Sequence, residues 1–417
     1  MQKKWLLVFT IMVIGAILCA GCTQQVSQSE KTTAKQDTST PGYKTVIDSR
    51  GVAVQVPASP QRVLAISDGL IEGMMVILGE EDKQVGVGST CVQLSYKFNY
   101  PQSEGPNLSY QNGMNTVRYL NPRLADLTLV GQSGQAINYE TVAGLKPDVI
   151  IMRLGDCTLR YPNDEKIPKS IETLNSLGIP LVIIKSPHFY DSPNMSGLSD
   201  EIKIIGSVFG KEERATQTAQ YLEEQVNMIK SRTRDVPEDK KPTVLILGLS
   251  PTARQAGGAG VVYGTDTIES YFIEDIANAK NAYQENAYFK TISAEQILAL
   301  NPDVIVLSTA YGYHPAEELY NAPYYQNLRE LKAVKEKRVY SMPYTPCNCD
   351  RRLEYPLDVM VIARGAYPDR FSDINFGQWT LDFYKNLYGV DETVAKEIRE
   401  SQWFSWTSND SVQVSST

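Results

Sequence analysis

The chain has 417 residues, 42% of them hydrophobic, 21% charged and 9% aromatic, the balance of a folded globular protein. Its net charge of -8 opposes phosphate backbones and anionic membrane surfaces, so nucleic acid is excluded as a natural partner. Only Trp5 to Ala20 is continuously apolar, which is shorter than the roughly 20 residues of a bilayer-spanning helix and excludes a multi-pass membrane protein.

The N-terminus reads as an export signal over residues 1–21: Lys3 and Lys4, then the apolar run, then small residues. Leu18-Cys19-Ala20-Gly21-Cys22 resembles the lipobox of secreted lipoproteins, which implies lipidation of Cys22 and attachment to the outer face of the cytoplasmic membrane. Cys19 stands where lipoproteins usually carry Leu, a departure from that pattern. Residues 22–42 are Gln, Ser, Thr and Lys with almost nothing to bury, which predicts a flexible tether.

The strongest internal signal is a repeat. Ile137 to Met152 matches Ile292 to Leu307 position by position, from Glu140 to Glu295 and from Pro147-Asp148 to Pro302-Asp303, at an offset of 155 residues. Each copy predicts a short helix, a Pro-Asp turn and an apolar strand buried on both faces. An offset that long is a whole domain. Further strands are predicted at Arg62–Ser67, Gln84–Gly88, Pro180–Lys185, Thr243–Gly248 and Arg338–Met342. Strands alternating with helices predict an α/β chain of two Rossmann-like lobes with parallel sheets, residues 43–196 and 236–395, followed by a tail over 396–417. Between the lobes, in residues 197–235, Ala215, Ala219, Leu222, Val226 and Ile229 form one helical stripe. A helix from Lys211 to Arg232 would be roughly 33 Å long, a stiff inter-lobe strut.

Thr45 to Pro57, Pro60 to Ser67, the repeated Glu-x6-Pro-Asp-Val-Ile segments and Leu331 to Tyr340 together resemble the substrate-binding proteins of ABC importers for iron–siderophore, haem and cobalamin. The resemblance runs from about Thr45 to about Val390. It implies two lobes joined by one long helix, a ligand cleft between them, and an extracytoplasmic monomer. Such a protein delivers its ligand to a permease with a cytoplasmic ATPase, without chemistry and without an intrinsic cofactor. It also implies that Glu140 and Glu295, one per lobe, meet arginines of the permease; a helix-start carboxylate is equally a macrodipole partner. Glu72 is a weaker docking candidate.

Ligands of open parallel sheets bind beyond the C-terminal ends of the strands. That rule selects Arg153 and His188 in the first lobe and Arg254, Tyr263, Tyr313, His314, Tyr344, Arg351 and Arg352 in the second. Phe289 stands six residues before Glu295, where cobalamin-binding relatives carry an aromatic, and the resemblance implies that Phe289 or its neighbour Tyr288 lines the cleft. His314 is a candidate metal ligand. Arginines suit the carboxylates and phenolates of an anionic iron chelate, with haem or corrinoid as alternatives, and an exported metal-handling enzyme or chelatase as the reading from another class. Cys91, Cys157, Cys347 and Cys349 are candidates for disulfides or cleft thiols. Gly257 to Gly264 reads as a cleft loop, since its last glycine is one residue too far on for a dinucleotide fingerprint.

Overall fold

A computed structural model describes residues 42–131, 136–156, 159, 165–190, 192–346 and 352–409. The export signal, most of the tether, Cys19, Cys22, Cys157, Cys347, Cys349 and Arg351 lie outside the described residues. The chain opens with the antiparallel pair β1 (Tyr43–Ile47) and β2 (Ala53–Pro57). The first sheet then draws on β3 (Val63–Ile66) and β4 (Gln84–Val87). A second hairpin follows, β5 (Ser95–Tyr100) and β6 (Leu108–Met114), before β7 (Thr128–Leu129), β8 (Val149–Leu154) and β9 (Leu181–Lys185) complete the sheet. Its order is β7-β4-β3-β8-β9 and every pairing is parallel. β3 and β8 are buried throughout, as expected of parallel strands covered on both faces.

The second sheet contains β10 (Thr243–Gly248), β11 (Gly260–Val262), β12 (Lys280–Asn281), β13 (Lys290–Ile292), β14 (Val304–Leu307) and β15 (Val339–Ser341). Its path is β13-β11-β10-β14-β15, with β12 also on β10. β12, β14 and β15 run parallel to their neighbours, but β11 is antiparallel to both β10 and β13. The second sheet is therefore mixed where the sequence predicts a parallel one. Residues 249–259 are too few for a crossover of a dozen or more residues, so the chain reverses and pairs antiparallel. The glycine segment expected as a loop supplies β11 itself.

The sequence repeat is a repeat in space. Both helices, Tyr139–Leu145 and Ala294–Leu300, are capped at the N-terminus, Asn138 accepting from the Thr141 N–H (3.0 Å) and Ser293 from that of Gln296 (3.3 Å). Gln296 closes a capping box on the Ser293 N–H at 2.9 Å. Both end on a residue in the left-handed region, Lys146 and Asn301. The aspartate of each Pro-Asp turn then accepts from the backbone at the start of the neighbouring strand. Asp148 takes the N–H groups of Gln61 (2.7 Å) and Arg62 (3.1 Å) before β3. Asp303 takes the N–H (2.8 Å) and hydroxyl (2.9 Å) of Thr243 in β10.

The connecting helix spans Glu212–Thr233, 22 residues, with Glu212 and Glu213 in its first turn and Lys230 and Arg232 in its last, each favourable to the helix dipole. Ala215, Ala219, Leu222 and Ile229 are buried, with Val226 packed at the margin. This stripe joins one continuous apolar core that takes Val63 and Ile151 from the first sheet, Val244 and Val306 from the second, and Val359 and Ile362 from the helix Tyr355–Ala366. The tail boundary expected at residue 396 falls inside the helix Glu392–Ser401; Phe404 beyond it is fully buried because its ring packs against Phe376 (5.6 Å).

Candidate functional site

Beyond the C-terminal ends of the first sheet lies a buried polar network. Arg153, in β8, donates through Nε (2.6 Å) and Nη2 (2.9 Å) to the two oxygens of Glu201, and through Nη1 to Asp156 (2.6 Å). Arg153, Asp156 and Glu201 are all buried, and the Glu201 pairing is the bidentate fork that guanidinium favours. Asp156 also accepts the Asp68 N–H (2.9 Å), and Asn115 donates to the Asp68 carbonyl (3.1 Å). Arg153, expected at the ligand, is instead consumed by this network: its carboxylates lie 3 and 48 residues away, a separation that spacing does not reveal. Glu72, the weaker docking candidate, is buried beside it, bonded to the Ser67 hydroxyl. Burial pushes its carboxyl up to about 7, aided by Asp156 and Asp68 and opposed by the Ser67 bond.

The second lobe also uses its charged candidates internally. His314 is buried, with Nε2 donating to the Ala310 carbonyl (3.1 Å) and Nδ1 paired with Glu318 (2.9 Å). Both ring nitrogens are hydrogen-bonded within the protein. Among the described residues no cluster of three His, Cys, Asp or Glu side chains is placed to hold a metal ion. Glu318 also accepts from the Tyr324 hydroxyl (2.9 Å) and faces Arg254 (3.4 Å). Arg254 donates to the Leu249 carbonyl (2.9 Å) and the Tyr325 hydroxyl (2.8 Å), with its guanidinium 4.7 Å above the Tyr324 ring. Arg352 is buried against Asp358 (3.3 Å) and Glu354 (3.2 Å).

What the strand ends bring together is aromatic. His188, just after β9, meets Tyr288 of the second lobe with ring centroids 4.2 Å apart. Tyr288 continues to Phe289 (6.1 Å), and Phe289 to Tyr263 (5.9 Å) and Tyr311 (5.3 Å). Tyr263 is the buried back of this group, its hydroxyl 3.3 Å from Ser308. Tyr311 is its open end, 56% exposed. Phe289 (φ 55°) and Tyr311 (φ 56°) both occupy the left-handed region. For large side chains that costs on the order of 1–3 kcal/mol and persists only where the surroundings impose it.

A second aromatic group stands beyond Gly312. The hairpin β5–β6 sends Tyr96 and Phe98 onto Tyr344 (5.9 and 5.8 Å), and Tyr110 onto Tyr313 (4.9 Å) and Trp403 (5.5 Å). Tyr100 donates to the Tyr313 carbonyl, and Ser103 to that of Asn321 (2.7 Å). Gly113 is required here, since a Cβ would overlap the Trp403 indole. Tyr313 and Tyr344, expected at the ligand, are buried in this cluster. The hairpin and Trp403 are the elements sequence reasoning missed. The alternation Tyr96, Phe98, Tyr100 was the available signal for the strand.

Glu140 and Glu295 are exposed, each the second residue of its repeat helix. Cys91 is buried and disulfide-bonded.

Comparison with known proteins places the chain among binding proteins of importers. The model of the family described as periplasmic binding protein matches residues 65–345. The ABC transporter substrate-binding lipoprotein YvrC of Bacillus subtilis is 23% identical over 375 residues, covering 89% of this chain and 100% of that protein. The Fe(3+)-citrate-binding protein YfmC of the same organism is 22% identical over 340 residues, covering 81% and 89%. The molybdate-binding protein MolA of Haemophilus influenzae is 25% identical over 302 residues, covering 68% and 78%. Its solved structure superposes with a TM-score of 0.60 over 84% of this chain and 98% of that one.

Proposed function

From the premise that the chain belongs to the periplasmic binding protein family, as a substrate-binding protein of ABC importers and not an enzyme, we propose that its ligand is a metal chelate captured between the lobes. The observation that carries this reading is the line His188, Tyr288, Phe289 and Tyr311, in which residues following β9 and β14 and residues preceding β13 join across both lobes around an exposed tyrosine. An iron chelate is the first candidate, as for the Fe(3+)-citrate-binding relative. Arg153, Arg254 and Arg352 already hold carboxylates or phenols of the protein, which supports a grip by aromatic packing and keeps haem and corrinoid as the alternatives. Glu140 and Glu295 serve as the permease contacts, and lipidated Cys22 as the anchor.

Calorimetric titration with ferric citrate, a ferric siderophore, molybdate, haemin and cyanocobalamin tests the ligand class. Tyr311→Ala and Phe289→Ala should each weaken the ligand that binds by about 3- to 10-fold, the worth of one aromatic contact. Binding of molybdate alone, unaffected by either change, would refute the chelate reading. Reversing charge at both Glu140 and Glu295 should abolish uptake while binding stays within about threefold, since rim charges set registration with a partner. Loss of binding would put those residues on the wrong surface. Cys22→Ser should release the protein from membranes.

A further inference from the structure

A cavity of about 320 Å³ lies against β15, the last strand of the second sheet, and is separate from the His188–Tyr311 line. Its volume is at the lower end of the roughly 300–1,000 Å³ typical of small-molecule sites. Five aromatic rings line it. Tyr110, Tyr313 and Trp403 form one wall, with centroids 4.9 to 5.5 Å apart, and Tyr340 and Trp406 form another at 6.3 Å. Two carboxylates, Glu317 and Glu400, complete it. Both are exposed, and neither pairs with a lysine or arginine among the described residues.

Aromatic faces carry negative potential, and rings that surround a cavity stabilise a cation from which water is excluded. Carboxylates at the rim add attraction of the same sign. A neutral apolar ligand would use the rings but leave both charges unanswered. An anionic chelate would be repelled. The fields of the rings and the acids agree only for a positive guest. We propose that this cavity binds a small organic cation, an ammonium of about the size of choline, at a site distinct from the ligand cleft.

The test compares choline with 3,3-dimethylbutan-1-ol, its neutral counterpart of the same shape, by tryptophan fluorescence and calorimetry on the full chain. Choline should bind saturably, and the neutral alcohol at least about tenfold more weakly. The double variant Glu317→Gln with Glu400→Gln should weaken choline by about 3- to 10-fold and leave the alcohol unchanged. Both positions are exposed, so the fold is preserved, and circular dichroism checks this. Tyr340→Leu should weaken both probes. Equal binding of the two probes would mark the cavity as merely apolar. No saturable change with choline, or choline binding untouched by the three substitutions, would overturn the assignment. A lysine-rich peptide that binds where choline does not would make the site a protein contact instead, and equally overturn it.

Discussion

The two lobes agree at one end of their sheets and diverge at the other. At the strand starts, Asp148 and Asp303 make the same bond to the neighbouring strand, after helices capped and terminated alike. At the strand ends, the first lobe closes on a buried network around Arg153, whereas the second presents Phe289 and Tyr311 in the left-handed region, one of them largely exposed. The start of a strand faces its own lobe and keeps the architecture of the repeat. The end faces the other lobe, and there each copy acquires its own chemistry. One lobe offers a rigid polar floor and the other an aromatic contact.

The strongest way to break that contrast is to attack the floor. Glu201→Ala removes the bidentate partner of the buried Arg153 guanidinium, leaving the bond to Asp156, and should cost about 3–5 kcal/mol in urea unfolding. Tyr311→Ala, at an exposed position, should stay within about 0.5 kcal/mol. Similar costs for the two would erase the distinction between floor and contact.

Glu72 sharpens it through pH. Its folded-state pKa of about 7 lies above the ordinary 4.5, so the native state binds more protons than the unfolded one between these values. Its contribution is complete below pH 4.5 and lost as pH rises through 7. Glu72→Gln should therefore gain stability relative to wild type between pH 5 and 8, by up to about 3 kcal/mol. A variant whose difference from wild type does not change with pH would show that the first lobe's floor does not hold this acid protonated.

The smallest effect tests the shared end. Asp148→Ala and Asp303→Ala should each cost about 1–3 kcal/mol, and the double variant should be additive within about 0.5 kcal/mol. Strongly unequal costs would mean that the duplication is geometric only.

The repeat was legible because caps, turns and buried strands are local, and each leaves its residue type at a fixed spacing: Ser293 three before Gln296, Asp303 after Pro302. The connecting helix was legible for the same reason, through the stripe from Ala215 to Ile229. The partners of the charged candidates were not. Arg153 and Arg352 look alike in sequence to arginines that grip a ligand; only the fold brings Glu201 and Asp358 to them. His314 is the instructive case, since Glu318 is only four residues away, on the helix that starts just after the histidine, and the pairing was open to inspection. The antiparallel β11 escaped because its glycines suggest a loop as readily as a strand.

The hairpin β5–β6 has a kinetic consequence. Its rings lie across the second lobe, and Tyr100 and Ser103 bond to that lobe's backbone. Any swing of the lobes about the connecting helix must detach these contacts together, each aromatic pair holding about 0.5–1.5 kcal/mol beyond its buried area. The strap thus acts as a second tie between the lobes, in parallel with the connecting helix.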